Sequence, residues 1–257
     1  MYFNKDTYSI YYEKHGNSNS IILILPGWGD TRKTFNILIN YLKLNHTVYI
    51  LDYPGFGNSI FPDHDLTIYD YTNIIRDFMK EENIINPIII AHSFGGRIAT
   101  LLTGYYKEKV NKLILIDSAG IKPKKNLFKL MKQYTYKLLK KVKYLLPKRK
   151  RNIYLNKLFR LFASTDYKAL DNNMYQTFKN VVNEDLKYYY KYIEIPTLII
   201  WGEKDIDTPL KDGYYMNKNI TNSSLIVYPD TGHFSYLSHP TLTNQIINKF
   251  LEEKKDD

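Results

Sequence analysis

The chain has 257 residues, 44% of them hydrophobic and 24% charged, a balance that excludes wholesale disorder and fits one large domain or one domain carrying an insertion. It contains no cysteine, which excludes a disulfide scaffold, a thiolate metal site and a cysteine nucleophile. Its 36 Lys and Arg outnumber 26 Asp and Glu, but fifteen of the basic residues and no acid lie between Lys122 and Arg160, so the rest carries 21 basic against 26 acidic residues. This is a mildly acidic protein with one strongly basic segment, not a uniformly basic chain of the kind that binds nucleic acid.

The N-terminal stretch MYFNKDTYSIYYEKHG is polar and lacks an apolar signal-peptide region, so a cytoplasmic location is expected. No apolar run approaches the roughly 20 residues that span a bilayer. Tyr2–Lys14 alternates and is interrupted by Asn4, Lys5 and Asp6, which predicts an antiparallel hairpin at a sheet edge. Ser20–Leu25 (SIILIL) predicts a strand that ends in the turn Pro26-Gly27-Trp28-Gly29-Asp30. Phe35–Leu42 predicts a helix. Thr47–Asp52 (TVYILD) predicts a strand running into Tyr53-Pro54-Gly55-Phe56-Gly57. Tyr69–Glu82 has helical spacing, with Ile74, Ile75, Phe78 and Met79 on one side. Pro87–Ala91 is a strand, Gly96–Tyr106 a helix and Lys112–Asp117 a strand. Thr197–Trp201 is a strand followed by a polar turn. Leu225–Tyr228 is a strand, and Thr241–Glu252 is a closing helix. Continuous apolar strands separated by helical stretches predict a mostly parallel sheet covered on both faces, the α/β class.

The alternation fails between Ile121 and Glu194, which is helical and basic in pattern. It predicts an insertion between two strands, so the core is expected at 1–120 and 195–257 with a helical cap at 121–194. Within it Leu127, Met131, Tyr134, Leu138, Val142 and Leu145 recur every three or four residues, predicting an amphipathic helix over Asn126–Leu146. Three uses fit that helix: a lid with solvated lysines, contact with anionic lipid, or attraction of an acidic substrate. The run Lys148-Arg149-Lys150-Arg151 fits non-specific nucleic-acid contact, but nothing else supports a nucleic-acid role.

Open parallel sheets place their chemistry at the carboxyl ends of the strands. Three such ends carry the parts of a hydrolytic triad. Ala91-His92-Ser93-Phe94-Gly95-Gly96 joins a buried strand to a helix. Small residues two before and two after Ser93 permit a tight turn that exposes its hydroxyl, and the helix that follows aims its first amides at the reacting atom. Trp201-Gly202-Glu203-Lys204-Asp205-Ile206-Asp207 offers a carboxylate to orient an imidazole, with Asp205 preferred and Asp207 in reserve. Thr231-Gly232-His233-Phe234 offers the imidazole. The order Ser93, Asp205, His233 is the serine–acid–histidine order. No HExxH, phosphate-binding loop or dinucleotide fingerprint is present, so no metal or organic cofactor is required.

The segments LPGWGD, DYPGFGNS, AHSFGG, WGEKD and TGHFSYLSHP, taken in order, resemble the α/β-hydrolase fold superfamily over the whole chain apart from the cap. The resemblance implies that Pro26-Gly27-Trp28-Gly29 supplies the oxyanion hole, with the backbone N–H of Trp28 joining that of Phe94. Pro26 stands where many relatives begin this motif with His. It implies a serine hydrolase that cleaves a small to medium carboxylic ester through an acyl-serine. Some relatives place the acid where Asp117 lies in IDSAG, although Asp117 also suits a turn cap. The cap and IDSAG also resemble carbon–carbon bond hydrolases of ring-fission diketones. Those usually carry a Trp soon after the histidine, where this chain has Phe234 and Tyr236. A third possibility is a non-catalytic ligand-binding or membrane-associated module on the same fold. His92 reads as structural, Arg97 as a partner in a fixed salt bridge with substrate contact as the alternative, and Ser59 as a turn residue that could instead face the pocket. His15, His46, His64 and His239 show no metal-ligand spacing and read as surface residues.

Overall fold

The computed structural model describes residues 1–5, 8–123, 139, 147, 150–151, 154 and 174–253. The expected Asn126–Leu146 helix, apart from position 139, and Lys148 and Arg149 of the basic run lie outside the described residues.

The elements follow in chain order. Strand β1 is Tyr2–Lys5, β2 Tyr8–His15 and β3 Ile21–Leu25. Helix α1 (Asn36–Leu42) precedes β4 (Thr47–Leu51), and α2 (Ile68–Glu81) precedes β5 (Ile88–His92). Helix α3 (Phe94–Thr100) precedes β6 (Lys112–Ile116). The following described elements are α4 (Tyr175–Asn183), β7 (Thr197–Gly202), α5 (Leu210–Asn219), β8 (Ser223–Tyr228), the single turn α6 (Ser235–Ser238) and α7 (Pro240–Glu252). Between 121 and 194 the described residues contain no strand.

The eight described strands form one sheet in the order β1-β2-β4-β3-β5-β6-β7-β8. The β1/β2 and β2/β4 pairs are antiparallel, so the N-terminal hairpin is the edge the sequence predicts, and the other pairs are parallel. The chain steps from β3 outward to β4, then returns to place β5 on the other side of β3. That reversal opens a crevice at the carboxyl ends of β3 and β5, where open α/β sheets bind ligands.

The strands read as unbroken apolar runs because both sheet faces are covered. Leu23, Leu25, Ile89, Ala91, Leu113, Leu115, Ile199 and Trp201 pack on one face with α2 and α3. Their alternating neighbours Ile22, Ile24, Ile88, Ile90, Ile114, Ile116, Leu198 and Ile200 pack on the other with α1 and α7. A period of two feeding two apolar layers leaves no polar face to mark the strand. Helix α2 starts where a capping box dictates. The Thr67 hydroxyl accepts from the Asp70 N–H, and the Asp70 carboxylate accepts from the Thr67 N–H at 2.7 Å.

Two elements differ from the sequence reading. Helix α3 ends at Thr100 and continues as one wide turn over Leu101–Tyr105, closed by the Tyr106 N–H donating to the Leu101 carbonyl. Helix α5, which follows the expected polar turn, has no counterpart in the sequence reading. Only Gly213 and Met216 of its residues are buried, so it has too short an apolar stripe to show a period. Gly213 is required there because a Cβ would lie 2.7 Å from the Trp201 indole.

Candidate active site

Ser93 sits between β5 and α3 at φ 49, a positive value that a non-glycine residue holds only when its surroundings impose it, at roughly 1–3 kcal/mol. The surroundings do impose it. The Ser93 N–H donates to the Ile116 carbonyl at 3.1 Å, and the Ser93 carbonyl accepts from the Gly96 and Ala119 amides. Gly95 must be glycine, since a Cβ there would stand 2.1 Å from the Leu25 carbonyl oxygen. The same close approach lets the Gly95 N–H donate to the Pro26 carbonyl at 3.0 Å, which ties the turn after β3 to the start of α3. Ala91, fully buried, fits where the usual pattern has a glycine.

The loop after β7 delivers Asp205. Its Oδ1 accepts the amides of Asp207 at 2.8 Å and Thr208 at 2.9 Å, and its Oδ2 accepts the Thr208 hydroxyl at 2.6 Å. The loop after β8 delivers His233, whose Nδ1–H donates to Asp205 Oδ2 at 2.8 Å. That bond leaves the Nε2 lone pair to accept the Ser93 Oγ–H, also at 2.8 Å. The tautomer follows from the hydrogen-bond network. Burial disfavours a charged His233, yet the hydrogen bond and charge of Asp205, with Asp117 and Asp207 adding, raise its pKa above the ordinary value. Burial pushes the Asp205 carboxyl up, but its bonds to His233 and Thr208 outweigh this and hold it below the usual range. The arrangement can take a proton from Ser93 and stabilise the resulting imidazolium.

These residues open onto a cavity of about 740 Å³. Ser93, His233, Trp28, Phe94, Arg97 and Phe178 are among its walls. The Trp28 ring makes edge contacts with Phe56, Phe94 and Phe178 at centroid distances of 4.9, 5.1 and 5.3 Å. Trp28 and Phe94 thus flank Ser93 on the side of the β3 turn.

The remaining candidates lie as follows. Asp207 is exposed, and it touches the arrangement through its amide rather than its carboxylate. Asp117, fully buried at φ 44, is a buried tie between loops, not a cap for its own turn. Its carboxylate accepts the Gly202 N–H at 2.7 Å, the Ser235 N–H at 3.0 Å and the Ser235 hydroxyl at 2.7 Å. Burial, which Asp205 reinforces, pushes its pKa up to about 7 despite those bonds. Ser59 is the turn residue expected, its hydroxyl donating to the Asp52 carbonyl and accepting the Tyr11 N–H. His46 is half-buried rather than on the surface, bonded to Ser20 Oγ at 2.8 Å. Arg97 corrects the sequence reading. It is 4% exposed and makes no ion pair among the described residues, donating to the Glu184 carbonyl at 2.8 Å.

One contributor, Thr208, escaped the sequence reading, and so did the partner of His92. The Thr208 hydroxyl stands within hydrogen-bond distance of Asp205, of the Asp117 carbonyl and, at 3.2 Å, of His233 Nδ1. Its spacing three residues after Asp205 is a recognisable side-chain turn signal. Burial, joined by the charge of His233, lowers the His92 pKa to about 3, so the ring is neutral. Its Nε2–H donates to the His233 carbonyl at 2.8 Å, and nothing local in the sequence announces that contact. Among the described residues one trio, Asp205, Asp207 and His233, brings possible metal-ligand atoms within 4.8 Å. A cation there would have to break the Asp205–His233 hydrogen bond.

The family model for the alpha/beta hydrolase fold matches residues 20–240. The pimeloyl-[acyl-carrier protein] methyl ester esterase of Wigglesworthia glossinidia brevipalpis is 29% identical, over 93% of this chain and 96% of its own. The enzyme of the same name from Legionella pneumophila is 24% identical over 95% of this chain and 100% of its own. Among solved structures, MGS-M2, an alpha/beta hydrolase from a deep-sea metagenome library, superposes with a TM-score of 0.78 at 20% identity, covering 100% of this chain and 99% of that one.

Proposed function

The chain belongs to the alpha/beta hydrolase fold family, and from that premise we propose a serine hydrolase that cleaves carboxylic esters of small to medium size. The observation that carries the reading is the continuous chain from Ser93 Oγ to His233 Nε2 and from His233 Nδ1 to Asp205, each link 2.8 Å, at the wall of a cavity. In this reading Ser93 attacks the acyl carbon while His233 takes its proton, and Asp205 holds the imidazole and offsets its charge. The backbone amides of Trp28 and Phe94 receive the developing oxyanion, at about 3–4 kcal/mol for one donor. His233 then protonates the departing alcohol, and water, activated by the same imidazole, releases the acid and restores Ser93. A cavity of about 740 Å³ suits a substrate of this size.

The domain division follows from the same reading. Residues 1–120 and 195–257 form the core, and 121–194 form the lid. Described residues of that span, Ile121, Phe178 and Val181 among them, line the cavity with Ser93. Among the described residues no helix is long and apolar enough to cross a membrane.

Relatives named as methyl ester esterases favour ester over carbon–carbon cleavage. A panel of aryl esters of graded acyl length, run beside a vinylogous 1,5-diketone and with Ser93→Ala as control, tests the reading. Ester turnover that vanishes in Ser93→Ala is expected. Hydrolysis of the diketone alone would move the assignment to carbon–carbon cleavage, and turnover of neither would remove catalysis from the account.

A further inference from the structure

Arg97 is a buried cation that the mechanism does not use and that makes no ion pair among the described residues. It lies on α3, four residues after Ser93, and is 4% exposed. Buried guanidinium groups are ordinarily paired with a carboxylate, because an unpaired buried cation is expensive. Arg97 has five N–H donors and, among the described residues, makes one hydrogen bond, to the Glu184 carbonyl. The two acids whose charge reaches it are engaged elsewhere. Glu184 accepts the Tyr69 hydroxyl at 3.1 Å, and Asp185 is paired with Lys187 at 3.2 Å while accepting the Lys122 and Lys187 amides. The Tyr190 hydroxyl nearby is kept neutral by burial and has no hydrogen-bond partner among the described residues.

Arg97 also lines the cavity that holds Ser93 and His233, and Lys122, Lys187 and Lys211 lie on the same walls against the acids Asp207 and Asp212. The vacant donor capacity of the guanidinium and the basic excess of the walls call for the same kind of occupant, an anion that enters with the substrate. The planar fork of Arg97 fits a carboxylate better than a point charge would. Four residues of helix rise separate the Ser93 and Arg97 backbones by roughly 6 Å along α3, so the group Arg97 reads is taken as distinct from the ester itself.

The geometry points to Arg97 as the specificity residue for a half-ester: a carboxylic ester that bears a free carboxylate some atoms away from the scissile bond. This rests on the esterase reading for the reaction, but the anion site stands on Arg97 alone, and the two fail separately. In binding, Ser93→Ala titrated calorimetrically should hold the monomethyl ester of a linear dicarboxylic acid about 10- to 100-fold more tightly than the dimethyl ester of the same acid, the range of a charge-assisted hydrogen bond. Adding Arg97→Met should erase that ratio, and Arg97→Lys, which keeps the charge but not the fork, should restore part of it. In turnover, the ratio of kcat/KM for the mono-p-nitrophenyl ester of the diacid to that for the neutral p-nitrophenyl ester of matched length should exceed 1 and collapse in Arg97→Met. Circular dichroism on each variant separates lost recognition from lost fold, and Arg97→Lys carries the test if Arg97→Met does not fold. Equal binding of half-ester and diester by Ser93→Ala, or a preference that survives Arg97→Met, would overturn the assignment. Tight half-ester binding with no turnover of any ester would leave the anion site standing and remove the esterase reading.

Discussion

Strands β6 and β7 lie side by side and each delivers an aspartate just past its carboxyl end, Asp117 after β6 and Asp205 in the loop after β7. Both side chains are buried and both accept several hydrogen bonds, yet their ionisation moves in opposite directions. Asp205 faces an imidazole that gains a charge and is held ionised below the usual carboxylate range. Asp117 accepts the amides of Gly202 and Ser235 and the Ser235 hydroxyl, yet burial, reinforced by Asp205 as a nearby like charge, pushes it up to about 7. Hydrogen-bond number does not separate them. What separates them is a partner that can carry positive charge. On the proposed reading the loop after β7 serves the chemistry, and the loop after β6 ties the neighbouring loops together so that the geometry is kept.

The difference is sharpest in turnover. Asp205→Asn should lower kcat for an aryl ester by about 10⁴-fold, because the amide favours the wrong tautomer and cannot offset the imidazolium charge. Asp117→Asn should lower it less than about tenfold, since its contacts act on positions rather than on charge at the reacting atoms. A comparable loss in both variants would erase the distinction. The same pair can be separated by pH. His233 must be neutral to accept the serine proton, and Asp205 raises its pKa. Removing that carboxylate should therefore move the His233 titration, followed by NMR of the ring, to lower pH. Asp117→Asn should move it far less.

A second, smaller effect concerns stability. Asp117 is raised in the fold from the ordinary aspartate value near 4 to about 7, so the native state keeps a proton that the unfolded chain releases. Its contribution is present in full below about pH 4 and is lost as pH rises through about 7. Asp117→Asn should be destabilised by about 1–3 kcal/mol at pH 5 in urea unfolding, through imperfect pairing of the three donors. That deficit should narrow at pH 8, where the wild type carries the buried charge and the variant does not. A deficit that widens with pH would show that Asp117 is ionised throughout.

The smallest effect belongs to the residue that touches both loops. Thr208→Val removes a hydroxyl shared between Asp205, the Asp117 carbonyl and His233 while the amides of Asp207 and Thr208 still hold the carboxylate. A loss in kcat of about 3- to 10-fold is expected, the range of one neutral hydrogen bond. A loss as large as that of Asp205→Asn would make Thr208 an equal member of the arrangement.

Much of this was legible along the chain because the fold writes it locally. The strands appear as unbroken apolar runs, and Ser93, Asp205 and His233 each stand in a turn after such a run. Small residues at Ala91 and Gly95 mark the elbow by what they leave out. The opposite case is Arg97, whose sequence neighbourhood suggests a salt bridge. Its acids are drawn off by Tyr69, Lys122 and Lys187, and the first two of those contacts follow no spacing rule. Asp117 and His92 are similar, since their partners lie 85 to 141 residues away. Helix α5 was missed for another reason, because it presents little more than Gly213 and Met216 to the core and so carries no period.

The central claim is that the Ser93 hydroxyl is made nucleophilic by His233. Fluorophosphonate labelling followed by peptide mass spectrometry tests it without any assumption about the substrate. A single adduct on Ser93 in the wild type is expected, absent in Ser93→Ala and strongly slowed in folded His233→Ala. Labelling of Ser93→Ala to the wild-type extent, or labelling of Ser93 at an unchanged rate without His233, would contradict it.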